Sequence, residues 1–370
     1  APQYPPGPQY PPGPQYPPPY QQPHQPPGGP RIPHTLGLPR GGRLRRPRLR
    51  RIVPLVVLAV IAYPFVLAIV AWTSLDRVDA LGSSDRAGTP GRTFLVVGSD
   101  SRDELSAEER RNLGTGRVRG RRTDTIMLLH VPGGGRPTVL VSIPRDSYVP
   151  IPGHGSNKIN AAYAFGGPRL LVRTVEQATG LRIDNYVETG LGGFAAVVDA
   201  VGGVEVCVSR ALRDTKAHIN VKAGCQEFDG RTALGYARAR YSDPRGDLGR
   251  VERQRKVLSA IVSRTLSPSV LAVPWRSIPA AHAGGNALTV DEGTSPVALG
   301  QFVLGMRAAA GGGGLSITVP VGNPNYQTSA GSSVLWDQAG ARRLFSALRA
   351  NDTEKIRPLA EEQKDLFSRS

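Results

Sequence analysis

Twenty-one consecutive residues without a charge, Ile52 to Trp72, constrain this chain more than any other feature of its sequence. A helix rises about 1.5 Å per residue, so this run reaches roughly 30 Å, the depth of a bilayer's hydrocarbon core. Seven arginines, Arg40, Arg43, Arg45, Arg46, Arg48, Arg50 and Arg51, stand directly before it. Such a basic flank stays in the cytoplasm, which predicts that everything after Trp72 lies outside. Pro54 falls near the helix start, where proline is tolerated, and Pro64 is expected to kink the middle. Trp72 occupies the place of an interfacial aromatic. A cleaved signal peptide fits poorly, because the run is too long, begins too far in, and is followed by no small-residue cleavage pattern. The expectation is a single-pass protein of a bacterial cell membrane, with a cytoplasmic N-terminus and an extracellular domain.

On either side of that run the chain divides by composition. Residues 1–51 read as a disordered Pro-rich, Arg-rich cytoplasmic tail. The hexamer Pro-Gln-Tyr-Pro-Pro-Gly runs from Pro2 to Gly7 and again from Pro8 to Gly13. Proline favours an extended backbone, and almost nothing here can be buried. Residues 52–72 are the expected transmembrane helix and 73–92 a linker. Residues 93–350 read as the extracellular catalytic domain and 351–370 as a polar C-terminal tail.

Within the domain, apolar β-rich runs occur at Thr93–Val97, Asp124–Val131 and Pro137–Ile143, with further strands at Val204–Val208 and Leu315–Val321. Helical spacing occurs at Pro168–Thr179, Phe194–Val201 and Leu248–Leu266, and near 296–309 and 337–349. This alternation predicts an α/β fold, a layered mixed sheet flanked by helices.

Net charge is +17, with 8 of the 46 Lys and Arg before residue 52 and no acidic residue before Asp76. The remainder thus holds 38 basic against 29 acidic side chains. A basic excess attracts nucleic acid, anionic lipid and phosphorylated substrates alike. Outside the membrane there is no DNA, so the expected topology removes nucleic acid as a partner.

Five polar clusters adjoin strand or helix ends: Gly98–Arg102, Arg121–Thr125, Ile143–Asp146, Asn157–Asn160 and Tyr236–Gln254. In an extended chain, Arg238 and Arg240 would project to the same side, as a clamp for a diphosphate. Asp247, Arg250 and Gln254 fall at i, i+3 and i+7 and share one helix face. Taken singly, each cluster is also ordinary turn, cap or ion-pair composition. Together they combine carboxylates suited to a hard cation with many arginines, which is what phosphoryl transfer requires. No P-loop and no Gly-x-Ser-x-Gly elbow is present.

At these residues the chain closely resembles the LytR-CpsA-Psr family of cell-wall glycopolymer transferases. The likeness runs from about Phe94 to Leu266. It rests on Val97–Arg102, Arg122–Thr125, Ser142–Asp146, Lys158–Tyr163, Val198–Val204, Ala237–Arg240 and Asp247–Gln254. The resemblance implies that a polymer is moved from a polyprenyl-pyrophosphate carrier onto peptidoglycan through a phosphodiester bond. It implies that Asp100 and Asp124 hold Mg²⁺ (or Mn²⁺). Arg122, Arg145, Arg238, Arg240, Arg250 and Gln254 would surround the pyrophosphate, with Lys158 nearby. Asp247 would activate the acceptor hydroxyl or orient an arginine, and the lipid tail would lie in an apolar tunnel beside helices such as Phe194–Val201. The long charged stretch Arg102–Arg122 departs from the family pattern, and residues 267–370 carry no family motif.

Three other readings compete: a hydrolase in which water replaces the sugar, a membrane-tethered DNA-binding regulator, and a non-catalytic polymer-binding protein. The polymer itself is not legible; Ala, Gly and Arg richness points to a high-GC Gram-positive source, for which arabinogalactan is one candidate cargo beside teichoic-type and capsular polymers. Finally, Cys207 follows Gly202 and Gly203 in an apolar run, and Cys225 follows Gly224 in a segment that must fold back. An external compartment has no cytosolic thiol buffer, so the two are expected to pair.

Overall fold

The apolar run folds as one helix, α1 (Leu49–Thr73), in a computed structural model that describes residues 49–82, 88–99, 123–215, 217–239, 246–310 and 313–369. The Pro-rich tail and most of the arginine cluster lie outside the described residues. The span from Ile52 to Thr73 is apolar throughout and buried nowhere in the protein. Contacts group residues 56–370 into one unit.

Its centre is a seven-stranded mixed sheet. The strands are β1 (Asp76–Val78), β2 (Arg92–Ser99), β3 (Thr123–Val131), β4 (Val139–Ile143), β7 (Asn185–Thr189), β12 (Leu288–Asp291) and β13 (Leu315–Thr318). They lie in the order β1-β12-β7-β2-β3-β4-β13. The central strands β2, β3 and β4 are antiparallel neighbours, and β2 pairs β7 in parallel. Both faces of the sheet are covered, so these strands are near-continuous apolar runs rather than alternating ones. One face sends Leu95, Val97, Ile126, Leu128 and Tyr186 against α2 (Ile159–Thr179). The other sends Phe94, Val96, Met127 and Leu129 against later helices.

α2 bends where Gly166 and Gly167 leave helical geometry, and Pro168 opens its second half; this agrees with helical spacing read only from Pro168. Between β7 and the second half of the chain stands a smaller cluster of its own. It contains α3 (Leu191–Ala200), the hairpin β8 (Val204–Val208) with β11 (Gly224–Phe228), and the hairpin β9 (Leu212–Asp214) with β10 (Ile219–Val221). α4 (Gly230–Arg238) and α5 (Gly246–Thr265) close it. Helix α5 is wedged between two cores: Val257 and Ile261 face the small cluster, Leu258 and Val262 the sheet. The remaining strands are the hairpins β5 (Tyr148–Ile151) with β6 (Gly155–Lys158), and β14 (Val321–Thr328) with β15 (Gly331–Trp336). The remaining helices are α6 (Pro268–Leu271), α7 (Pro274–Asn286), α8 (Pro296–Ala310), α9 (Gln338–Arg349) and α10 (Arg357–Arg369).

Two segments differ from their reading as linker and tail. Residues 76–78 form an edge strand that pairs β12, with Leu75 and Ala80 buried beside it. Residues 351–370 carry α10, whose Ala360 joins Ile356 in the core, while Gln363 bonds both the amide and the carbonyl of Thr318. Both are short amphipathic pieces whose apolar residues have partners only across the fold.

Cys207 and Cys225 stand opposite one another on β8 and β11 and are disulfide-bonded, as their placement led us to expect.

His130 on β3 is fully buried. Its Nδ1 meets Thr93 Oγ1 at 3.0 Å, and its Nε2 faces the amide of Asn351 at 3.2 Å. With the amide turned so that its nitrogen donates to His130 and to the Pro90 carbonyl, its oxygen accepts from Arg136. Burial holds the His130 pKa below its ordinary value. A neutral base of this kind stabilises the fold fully above about pH 6.5; that contribution is lost as pH falls from there toward the lowered folded pKa. Thermal melts of wild type and His130→Gln should therefore diverge in slope below pH 6.5, the wild type losing stability more steeply. Parallel profiles would refute this.

Candidate functional site

Four of the ten residues expected to form the site have described side chains around one cavity. It lies where the C-terminal ends of β2 and β7 meet the start of β3, with a volume of about 270 Å³. Asp124, Arg145, Arg238 and Gln254 line its polar side; Met127, Phe194 and Leu258 are among those lining its apolar side. Asp100, Arg122 and Arg240 lie outside the described residues. Asp247 and Arg250 stand on the first turns of α5, the helix that carries Gln254, and their side chains are outside the description.

Arg145 follows β4 after Pro144 and forms an ion pair with Asp124 across the strands. Its Nε also lies 3.5 Å from Asp146, which accepts the Lys158 ammonium at 3.2 Å. The result is a chain of alternating charge, Asp124–Arg145–Asp146–Lys158. Lys158 lines an adjoining cleft of about 430 Å³ together with Arg145 and Asp146, rather than the main cavity. Asp146 was not among the expected site residues. It had a signal in sequence, closing both the Ile143–Asp146 cluster and the Ser142–Asp146 motif, and it pairs with two of the cations.

The loop that carries Arg145 is held from both sides. The Asn160 amide donates to the Arg145 carbonyl at 3.2 Å, and that of Ile159 to the Ser147 carbonyl at 2.8 Å. From the far end of the chain, the Val334 amide donates to the Asp146 carbonyl at 2.8 Å, and Trp336 Nε1 to Ser147 Oγ at 2.8 Å. Residues 267–370, which carry no motif, thus supply β12 and β13 and brace the arginine loop.

The arginine clamp differs from the extended reading. Asp229 caps a helix by accepting from the Thr232 amide, and α4 runs to Arg238, its last residue. Ala233, Leu234, Tyr236 and Ala237 are buried along it, so helical packing wins over strand alternation. Ala239, the last described residue of the segment, is extended, and Arg238 at the helix end lines the cavity. The buried Arg253 of α5 donates to the carbonyl of Ala239, fastening this turn to the helix that bears Gln254.

Two further polar groups stand next in sequence to residues that line the cavity, Glu188 beside Thr189 and Arg255 beside Gln254. The buried carboxylate of Glu188 on β7 accepts from Tyr163 at 2.6 Å and Tyr186 at 2.5 Å. Burial, and next the Glu188 charge, push the Tyr186 hydroxyl well above its ordinary pKa, so it stays protonated and donates to Glu188. Arg255 reaches the hydroxyls of Ser142 and Thr318 at 2.8 and 3.1 Å, and burial lowers its pKa to about 10.

For a hard divalent cation the donor chemistry is suitable: Asp124, Ser99 and Thr125 present oxygen atoms to the same cavity, and Asp100 follows Ser99 in sequence. Among the described residues, one group of three potential metal ligands is found elsewhere, Glu205 with Cys207 and Cys225, and the disulfide takes both of its sulfurs.

The LytR_cpsA_psr family profile matches residues 75–289. The chain is 49% identical over 287 residues to the probable cell wall biosynthesis protein LcpB of Corynebacterium glutamicum, across 77% of this chain and 67% of LcpB. It is 41% identical over 176 residues to the polyisoprenyl-teichoic acid–peptidoglycan teichoic acid transferase TagU of Enterococcus faecalis, across 47% of this chain and 54% of TagU. The chain thus spans between about half and two thirds of the length of these relatives. Its fold is similar to that of a LytR-Csp2A-Psr enzyme from Actinomyces oris, with a TM-score of 0.57 at 23% identity over 74% of this chain and 95% of that one. The match over more than half of the chain, and the half-identical relative, show that this protein belongs to the LytR-CpsA-Psr family.

Proposed function

We propose that this protein transfers a glycopolymer from a polyprenyl-pyrophosphate carrier to peptidoglycan, anchored to the cell membrane with its N-terminus in the cytoplasm and its domain outside. The observation that carries this reading is the two-sided cavity. A lipid diphosphate has a strongly anionic head and an apolar tail, and one cavity offers arginines on one side and aliphatic and aromatic walls on the other. The names of the relatives, which include a teichoic acid–peptidoglycan transferase, support the same substrate class.

In this reading the acceptor hydroxyl attacks the phosphorus that bears the polymer's sugar. A new O–P bond forms, the bond to the second phosphate breaks, and polyprenyl monophosphate leaves. Arg145 and Arg238 offer forked donors to the non-bridging oxygens, where charge is concentrated. Asp124 and Asp146 hold the Arg145 fork in place before substrate arrives. Asp247 on α5 is proposed to take the acceptor's proton or to orient an arginine, and Arg122, Arg240 and Arg250 to add to the anion site. Mg²⁺, held by Asp100 and Asp124, would neutralise charge on the diphosphate.

The test incubates the purified domain with polyprenyl-diphosphate oligosaccharides and peptidoglycan fragments. A phosphodiester-joined product is expected, diminished by a chelator and restored by Mg²⁺. Free phosphorylated oligosaccharide without joined product would replace transfer by hydrolysis, and full activity in chelator would remove the metal.

A further inference from the structure

Helix α7 lies outside the cavity and is packed alongside the apolar span. Near its start, Ser277 Oγ is hydrogen-bonded to the hydroxyl of Tyr63, in the middle of that span. Near its end, a methyl on Gly285 would lie 2.5 Å from the carbonyl oxygen of Ala71 and 2.6 Å from Ser74 Cβ, so the backbones nearly touch there. Tyr63 to Ala71 and Ser277 to Gly285 advance by the same number of residues in the same chain direction, so α7 runs parallel to α1 for about 12 Å.

Ser277, Ala280 and Gly285 are the buried residues of α7. Trp275 is 78% exposed, Ile278 40%, and Leu271 in the turn before is 39% exposed. Together with Pro279 and His282, Trp275 and Ile278 occupy one helix face at i, i+3, i+4 and i+7. An indole left this open in water is an unusual use of a large apolar surface. A bilayer surrounds a span on every side, so the face of α7 turned away from α1 does not meet water at that level.

We propose that α7 and the turn before it are seated in the lipid leaflet on the domain's side of the membrane, with Leu271, Trp275 and Ile278 among the lipids. The proposal rests on α1 lying in the bilayer. It gives the domain a second, non-covalent hold on the membrane and limits its swing about the span. It also places lipid next to the cavity wall. Ala287, at the C-terminal end of α7, packs against α3 so closely that a methyl on Gly193 would lie 2.7 Å from its Cα, and α3 carries Leu191 and Phe194 into the cavity.

The protein has three tryptophans, Trp72, Trp275 and the buried Trp336. Full-length W72F, W275F and W72F/W275F are reconstituted in nanodiscs of plain lipid and of lipid brominated on the acyl chains. W72F should lose much of the Trp275 emission in brominated lipid, while the double variant, reporting Trp336 alone, should lose little. Trp275 is surface-exposed, so Phe there leaves the fold intact. Equal quenching in W72F and the double variant overturns the proposal. If W275F is then still quenched through Trp72, the span remains in the bilayer and only the seating of α7 fails. Quenching in neither single variant overturns both. A blue-shifted but unquenched Trp275 would mean a protein surface covers it, which also overturns the proposal.

Discussion

Arg145→Ala and Arg238→Ala each lower the rate of polymer transfer by roughly 30- to 1,000-fold, with the fold retained. Each removes a charge-assisted contact at a partly desolvated site, a loss of about 2–4 kcal/mol. The two losses differ in kind. Arg238 closes α4 and faces the cavity, so its removal subtracts substrate contacts. Arg145 also stands between Asp124 and Asp146, and its removal leaves Asp124, which lines the cavity, without that counterion, while Asp146 keeps Lys158. Arg145→Ala should therefore show the larger defect in affinity for a short-chain polyprenyl diphosphate. Arg145→Lys separates charge from geometry: it keeps a cation but loses the planar fork that spans Asp124 and Asp146, so rescue should be partial. Wild-type rates in both alanine variants would refute the assignment. Full rescue by lysine would show that only the charge matters.

Reducing the Cys207–Cys225 bond lowers the stability of the domain by about 3 kcal/mol, in the chain-entropy account of a loop of this size. The two cysteines are 18 residues apart, and both are exposed, so a mild reductant reaches the bond without unfolding the protein. For a domain of this length the loss corresponds to a fall in Tm of roughly 6–12 °C, read by calorimetry with and without reductant. Cys207→Ser/Cys225→Ser should melt at the lowered temperature and be insensitive to reductant. The bond closes the β8–β11 hairpin, and β11 leads through the Asp229 cap directly into α4 and Arg238. The reduced protein should therefore bind lipid diphosphate more weakly even below its Tm. An unchanged Tm would show that the hairpin is held by its apolar cluster alone.

Local patterns foretold much of this protein. The helix α1 was legible because an unbroken apolar run of this length is rare in other contexts, and Ile52–Thr73 is long and apolar enough to cross a bilayer. The strands β2, β3 and β4 and the helix α5 were legible because buried elements repeat apolar residues at their own period. Asp124, Arg145, Arg238 and Gln254 were legible by resemblance, and the structure places all four on one cavity. The fold decided what depends on distant neighbours. Ala237–Arg240 looks extended by alternation, yet the Asp229 cap and the burial of Leu234 and Tyr236 carry the helix through Ala237 and Arg238. Asp146 becomes the brace of two cations only once β6 brings Lys158 beside it. Arg253 takes its role from a carbonyl on another element, and Trp336 from a serine 189 positions away. Trp275 is an ordinary helical residue until Tyr63 and Ala71 set its helix against the span. Periodicity records which face of an element is buried. Which element covers that face is settled by contacts that close long loops, and no local window of sequence contains them.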